Sequence, residues 1–256
     1  MNAWSFAICA LAGLSTALGG LIVALQRHPS ERFLAAALGF SAGVMLYISL
    51  VELLPEGVDG LEEAGVAGAA MWGPVAFFAG VLLIAVIDRF VPEDINPHEE
   101  PRTAGSIRMR KVGVITALAI AIHNFPEGFA TFFVALQDVS LALPLAFAIA
   151  IHNIPEGIAV AVPLREATGK KWAAAGWAAL SGLAEPVGAI IGYIFLKPFL
   201  GPASLGITFA VIAGIMVFVS LDKLLPTAIA TGRHHAAVYG VVGGMAVMAV
   251  SLVLLA

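Results

Sequence analysis

Residues 122–128 read IHNFPEG and residues 151–157 read IHNIPEG, each inside an apolar run long enough to cross a membrane. Histidine, asparagine and glutamate offer an imidazole nitrogen, an amide oxygen and a carboxylate, donors that suit first-row divalent cations. His123 and Glu127 are four residues apart and Asn124 and Glu127 three apart, so on a helix Glu127 serves both neighbours. His152, Asn153 and Glu156 repeat the arrangement. Charged groups at membrane depth are costly unless paired or ligated. A divalent cation between the two sets would satisfy all of them. Pro126 and Pro155 each remove a backbone donor, which frees the carbonyls of Ile122 and Ile151. The prolines are expected to break each helix where the cation sits. Gly128 and Gly157 allow close helix approach.

Other polar residues could join. Glu185, in SGLAEPVGA (181–189), again precedes a proline, Pro186. Met45 lies near mid-depth, either as a soft ligand or as packing. Glu52 stands two turns further on, either guarding an entrance or meeting water as an interfacial acid. Asp222 and Lys223 could form a snorkelling surface pair or line an exit. Asp88 and Arg89 read as interfacial. His98, Glu99 and Glu100, and likewise His234 and His235, read as solvated residues rather than a metal store. Cys9 is the only cysteine and reads as a small buried residue. Without thiolates the site is not built for tight retention, and a transporter needs binding that can be released.

These residues require helices in a membrane. The chain of 256 residues is 60% hydrophobic and 12% charged, with mean hydropathy +0.97. Soluble domains carry roughly 25% charged residues. The small net charge of −4 gives no sign of a nucleic-acid partner. Residues 3–26 lack a basic leader region and read as a retained span. A span needs about 20 apolar residues. Eight runs qualify: 3–26, 33–54, 70–88, 112–135, 140–164, 172–196, 202–225 and 235–255. The expected fold is an all-α integral membrane protein, a single transmembrane transporter domain over 1–256. Its one long connection, 89–111, is polar.

With the N-terminus outside, twelve of the thirteen Lys and Arg residues fall on the inner side, and only Lys197 falls outside. That split implies both termini outside and loop 89–111 in the cytoplasm. The outer loop 55–69 is then acidic, with Glu56, Asp59, Glu62 and Glu63. Residues 119–130 and 148–159 match at ten of twelve positions. Residues 42–55 (AGVMLYISLVELLP) and 213–226 (AGIMVFVSLDKLLP) match at eight of fourteen. The members of each pair run in opposite directions, which predicts a 3+2+3 inverted repeat with a substrate site at its midplane.

HNFPEG, HNIPEG and SGLAEP resemble the ZIP (Zrt/Irt-like) metal transporters, in particular their bacterial ZupT-like branch, and the resemblance covers essentially the whole chain. It implies a multi-pass protein of the bacterial inner membrane, with uptake of Zn²⁺, often with Fe²⁺, Mn²⁺, Co²⁺ or Cd²⁺, and commonly a homodimer in the lipid bilayer. The metals are cargo; no cofactor and no enzymatic activity are implied. Carried over, one metal position comprises His123, Glu127, His152 and Glu156. The adjacent one comprises Asn124, Glu127, Asn153, Glu156 and Glu185, with Glu127 and Glu156 bridging. Met45, in SAGVM, is similar to a methionine that touches the first metal. Lys223 departs from the family, where many relatives carry an acid. Only His98 lies in the long loop, which makes a loop metal store doubtful.

Two other readings stay open. A proton- or sodium-coupled carrier of another solute could use the same carboxylates. An intramembrane metalloenzyme is disfavoured by the lack of H-E-x-x-H and by a donor set that leaves little room for an activated water.

Overall fold

The computed structural model describes residues 3–26, 30–89, 106–137, 139–196 and 201–255. Side chains of residues 106–113 and of scattered positions along the central helices, His123 among them, lie outside that description. The described residues form helices α1 (Ala3–Leu25), α2 (Glu31–Ile48), α3 (Leu54–Glu63), α4 (Ala69–Arg89), α5 (Ser106–Gln137) and α6 (Val139–Thr168). These are followed by α7 (Lys171–Gly182), α8 (Ala184–Leu196), α9 (Pro202–Val219), α10 (Leu225–Ala230) and α11 (His234–Leu255). Two π turns, Ser49–Leu53 and Ser220–Leu224, join α2 to α3 and α9 to α10 without a loop.

Among the described residues seven stretches are long and apolar enough to cross a membrane. A shorter apolar stretch, Ile120–Leu136, lies within α5. The expected second span, 33–54, runs on through the π turn to Glu63, so most of the expected acidic loop is helix. The cause is local. Pro55 has no N–H, and Ser49 Oγ donates to Met45 O at 2.6 Å. The widened turn instead carries a bond from Leu54 N to Ser49 O. The second π turn is built alike: Ser220 Oγ donates to Met216 O at 2.7 Å, Leu225 N donates to Ser220 O, and Pro226 follows. The sixth expected span, 172–196, is divided at Leu183, between Gly182 and Pro186. The expectation of a break at Pro126 and Pro155 is not met. Both helices run through their prolines. Of the expected loop 89–111, residues 90–105 lie outside the described residues and 106–111 open α5.

Helix ends are closed by local chemistry. Ser30 Oγ accepts from Phe33 N at 3.2 Å at the start of α2. Gly169 takes φ 67° beyond the end of α6, a backbone region that disfavours a side chain. Arg165 of α6 donates to the last carbonyls of α1, Val23 O and, at 2.7 Å, Gln26 O. A cation there also suits the negative end of the α1 dipole.

The helices pack through glycines. In α1 and α6, Gly19 lies against Ile154 O and Gly157 against Thr16 O. In α5 and α8, Gly188 lies against Phe125 O and Gly128 against the Glu185 backbone. Gly43 of α2 abuts Val241 of α11, and Gly244 abuts Phe40 in return. Gly80 of α4 abuts Val211 of α9, and Gly214 abuts Phe77 in return. A Cβ at any of these positions would overlap backbone, so each glycine sets how closely two axes approach. The apolar window of α6 is 71% buried, against 28% for α4 and α11, so α6 is central and α4 and α11 flank the bundle. Leu82 and Phe78 of α4 and Val253 and Leu254 of α11 face outward.

Gly80→Val would drive methyl groups into the Val211 carbonyl. We expect a loss of about 1–3 kcal/mol, the usual cost of overpacking, whereas Gly176→Ala, which meets open space, changes little. Thermal unfolding of the detergent-solubilised variants checks both.

Candidate metal centre

The two motif helices lie side by side, with α8 packed on α5 and α1 on α6. Asn124, His152, Asn153, Glu156 and Glu185 are each 0% exposed and Glu127 is 1% exposed. So much polar chemistry in a fully buried zone is unusual, because such groups are costly to remove from water. The second motif lies opposite the first because α6 runs back along α5, and α8 brings Glu185 to the same zone.

The hydrogen bonds show which atoms are committed. His152 Nε2 lies 3.3 Å from Glu127 Oε2, linking the two motifs directly. Asn153 Nδ2 donates to Ala12 O at 3.1 Å and also to Glu185 Oε1. Both amide hydrogens are thus spent, so the Asn153 amide oxygen points elsewhere. Among the described residues, Asn153 Oδ1, Glu185 Oε2 and both polar atoms of the Asn124 amide have no hydrogen-bond partner. An uncommitted buried amide or carboxylate oxygen is a ready ligand for a hard or borderline cation. Among the described residues no three His, Cys, Asp or Glu side chains stand around one point at ligand distance. The His123 side chain lies outside them. The described side chains thus form a buried hydrogen-bonded cluster.

Met45 is buried in α2, its Sδ 4.0 Å from Ser41 Oγ, and Ser41 Oγ donates to His152 O at 3.2 Å. This fastens the Met45 face of α2 to the His152 turn of α6. Ser41 and Ala12 are hydrogen-bonded to motif residues, which the motifs did not reveal. A serine four residues before Met45 was the available sign for the first; a backbone carbonyl leaves none. Glu52 and Glu56 line a pocket with Ile48, Val134, Leu145 and Phe209, where the π turn of α2 meets α5, α6 and α9. Asp222 lies in the second π turn, with Lys223 Nζ at 2.9 Å. Lys223 also lies 2.6 Å from Asp88, so Asp88 holds the end of α4 to this turn rather than being merely interfacial. His234 and His235 are exposed neighbours on α11, and His98, Glu99 and Glu100 lie outside the described residues. Cys9 is buried as expected, its Sγ donating to Gly128 O at 3.3 Å.

A family model described as ZIP zinc transporter matches residues 2–107 and 92–252. The chain belongs to the ZIP zinc transporter family. Proteins named zinc transporter ZupT from Corynebacterium efficiens and Corynebacterium glutamicum are 59% and 58% identical to it over 259 residues. Each alignment covers 98% of this chain, and 97% and 98% of those proteins. A zinc transporter ZupT of Streptococcus mutans is 51% identical over 255 residues, covering 98% of this chain and 97% of its own. With its apolar helices, this ZIP-family chain is a multi-pass protein of the bacterial inner membrane.

Asn153→Ala would remove the donor to Glu185 and Ala12 and leave a buried carboxylate oxygen without it. We expect a loss of about 1–3 kcal/mol of stability, read from thermal unfolding in detergent.

Proposed function

We propose that this ZIP-family chain takes up Zn²⁺, with Fe²⁺, Mn²⁺, Co²⁺ and Cd²⁺ as further substrates, from outside the cell into the cytoplasm. The ion passes through a midplane two-metal centre on α5, α6 and α8. The single observation that carries this reading is the fully buried set of Glu127, Glu156 and Glu185 with Asn124 and Asn153, within which Asn124, Asn153 and Glu185 keep uncommitted oxygens among the described residues. Family membership and the ZupT relatives support zinc as the cargo. His123, Glu127, His152 and Glu156 hold one ion, with Met45 beside it. Asn124, Asn153 and Glu185 hold the second, and Glu127 and Glu156 bridge the two.

The architecture proposed is eight spans, with Ile120–Leu136 inside the fourth, in a 3+2+3 inverted repeat with both termini outside. The twelve-to-one division of basic residues supports the orientation. The matched glycine contacts support the repeat, since the α1–α6 approach corresponds to α8–α5 and the α2–α11 approach to α9–α4. Homodimer formation rests on the family resemblance alone. Glu52 and Glu56 form an acidic mouth on the outer side, and Asp222 stands at the inner side.

The chain's own groups carry out each step. Dehydrating a divalent ion is costly, and the buried carboxylates offset that cost. Alternating access then moves one group of helices against the other about the centre. A proton relay through the Glu127–His152 pair is the second reading, favoured by their 3.3 Å separation.

In proteoliposomes loaded with a zinc-sensitive dye, wild-type protein is expected to give saturable Zn²⁺ entrance and no Mg²⁺ entrance. Glu127→Ala, Glu156→Ala and His123→Ala should each cut uptake by about 100-fold or more, as loss of a buried charged ligand of several kcal/mol implies. Near-normal uptake by both glutamate variants, with the protein correctly inserted, would remove the site assignment. Proton flux without metal flux would select the relay.

A further inference from the structure

Among the described residues, threonines on helices spend their hydroxyl on a carbonyl one turn back. Thr131 donates to Glu127 O at 2.9 Å, Thr168 to Leu164 O at 2.6 Å and Thr208 to Ser204 O at 2.7 Å. Thr227 does likewise, and Thr231, just past the end of α10, donates to Ala228 O. Thr16 of α1 does not. It is 0% exposed, and its hydroxyl has no hydrogen-bond partner among the described residues. The reason is steric and electronic. Its natural acceptor, Ala12 O, already receives Ser15 Oγ at 2.6 Å and Asn153 Nδ2 at 3.1 Å, besides the helix's own bond. A carbonyl has two lone pairs, so Thr16 finds it filled.

The position of Thr16 is not arbitrary. Gly13 of α1 and Gly182 of α7 lie against each other's carbonyls. A methyl at Gly13 would lie 3.0 Å from Glu185 Cβ, and one at Gly182 would lie 2.9 Å from Thr16 Cβ and 3.0 Å from Thr16 Oγ1. Gly128 abuts the Glu185 backbone and Gly157 abuts Thr16 O. Exchanging α1 with α7–α8 and α5 with α6 therefore carries Thr16 onto Glu185. Asn153, which donates to Glu185, is carried onto Asn124, whose amide is wholly unpartnered. The half of the centre that holds Asn153 and Glu185 has a carboxylate. The half that holds Asn124 has a hydroxyl in the same place.

We propose that Thr16 is the counterpart of Glu185 in the other half of the centre, a substrate-contacting residue whose hydroxyl receives the divalent cation, or its last water, on the way to the cytoplasm. This rests on the transport reading above. Thr16 lies on the inner side of the Gly13–Gly182 crossing and Glu185 on the outer side, given the orientation supported by the basic residues. A carboxylate captures a cation strongly, while a neutral hydroxyl offsets part of its dehydration without holding it. The difference favours binding on the outer half and departure on the inner half. Leaving a buried hydroxyl unbonded costs stability, so the group is retained at the expense of the fold.

The test compares Zn²⁺ uptake by wild type, Thr16→Val and Thr16→Ser in proteoliposomes, with thermal unfolding of each in detergent. Thr16→Val keeps the shape and removes the hydroxyl. It is expected to lower kcat by about tenfold, the worth of one hydrogen-bond-strength contact to a charged species, with KM little changed and the unfolding temperature equal or higher. Thr16→Ser should stay within about twofold of wild type. Full kcat in Thr16→Val would overturn the proposal, as would equal loss in Thr16→Ser or a loss that tracks a lowered unfolding temperature. Absence of metal uptake by the wild type would overturn the transport reading and this proposal with it, whereas wild-type uptake untouched by Thr16→Val overturns this proposal alone.

Discussion

Burying carboxylates where no water reaches is the constraint on which the rest of this structure depends. Glu127, Glu156 and Glu185 sit at 1% exposure or less inside a bundle whose outer faces are apolar. An ionised carboxylate in such a place is costly unless its oxygens are occupied. The fold answers with two side chains of α6 that reach two other helices: His152 toward Glu127 of α5 and Asn153 toward Glu185 of α8. It does not fill every position. Oxygens on Asn153, Glu185 and Asn124 are left without a hydrogen-bond partner among the described residues, and these are the ones the proposed metal centre would use. A cluster fully satisfied by protein would be more stable.

Glycine packing makes that cluster possible. Asn153 reaches Ala12 O only because α1 approaches α6 closely at Gly19 and Gly157. Glu185 reaches the same zone because Gly128 lets α8 lie against α5. In the bundle core the backbones themselves therefore become part of the polar site. The same close approach saturates the Ala12 carbonyl and leaves the Thr16 hydroxyl unspent. Away from the centre, the two π turns keep α2 and α9 continuous across Pro55 and Pro226, and they differ in charge. One places Glu52 with Glu56 in a mostly apolar pocket, and the other ties Lys223 to Asp88 and Asp222.

The amino-acid sequence by itself determined the class of the protein, its helical spans to within a few residues for most helices, and the membership of His152, Asn153, Glu156, Asn124, Glu127 and Glu185 in one buried zone. It could do so because apolar runs in a membrane protein are read by length alone, and because ligand-type residues spaced three and four apart share a helix face whatever surrounds them. Tertiary structure decided the rest. Pro55 does not end its helix because the turn before it widens, with the Ser49 hydroxyl bonded to Met45 O, and Pro126 lies inside an unbroken α5. That Asp88 meets Lys223, that Ser41 holds the His152 turn, that the Ala12 carbonyl takes Asn153 and that Thr16 lies against Gly157 and Gly182 all depend on how closely particular backbones meet. Those distances are set by glycines on facing helices, and a one-dimensional pattern does not say which glycine faces which carbonyl.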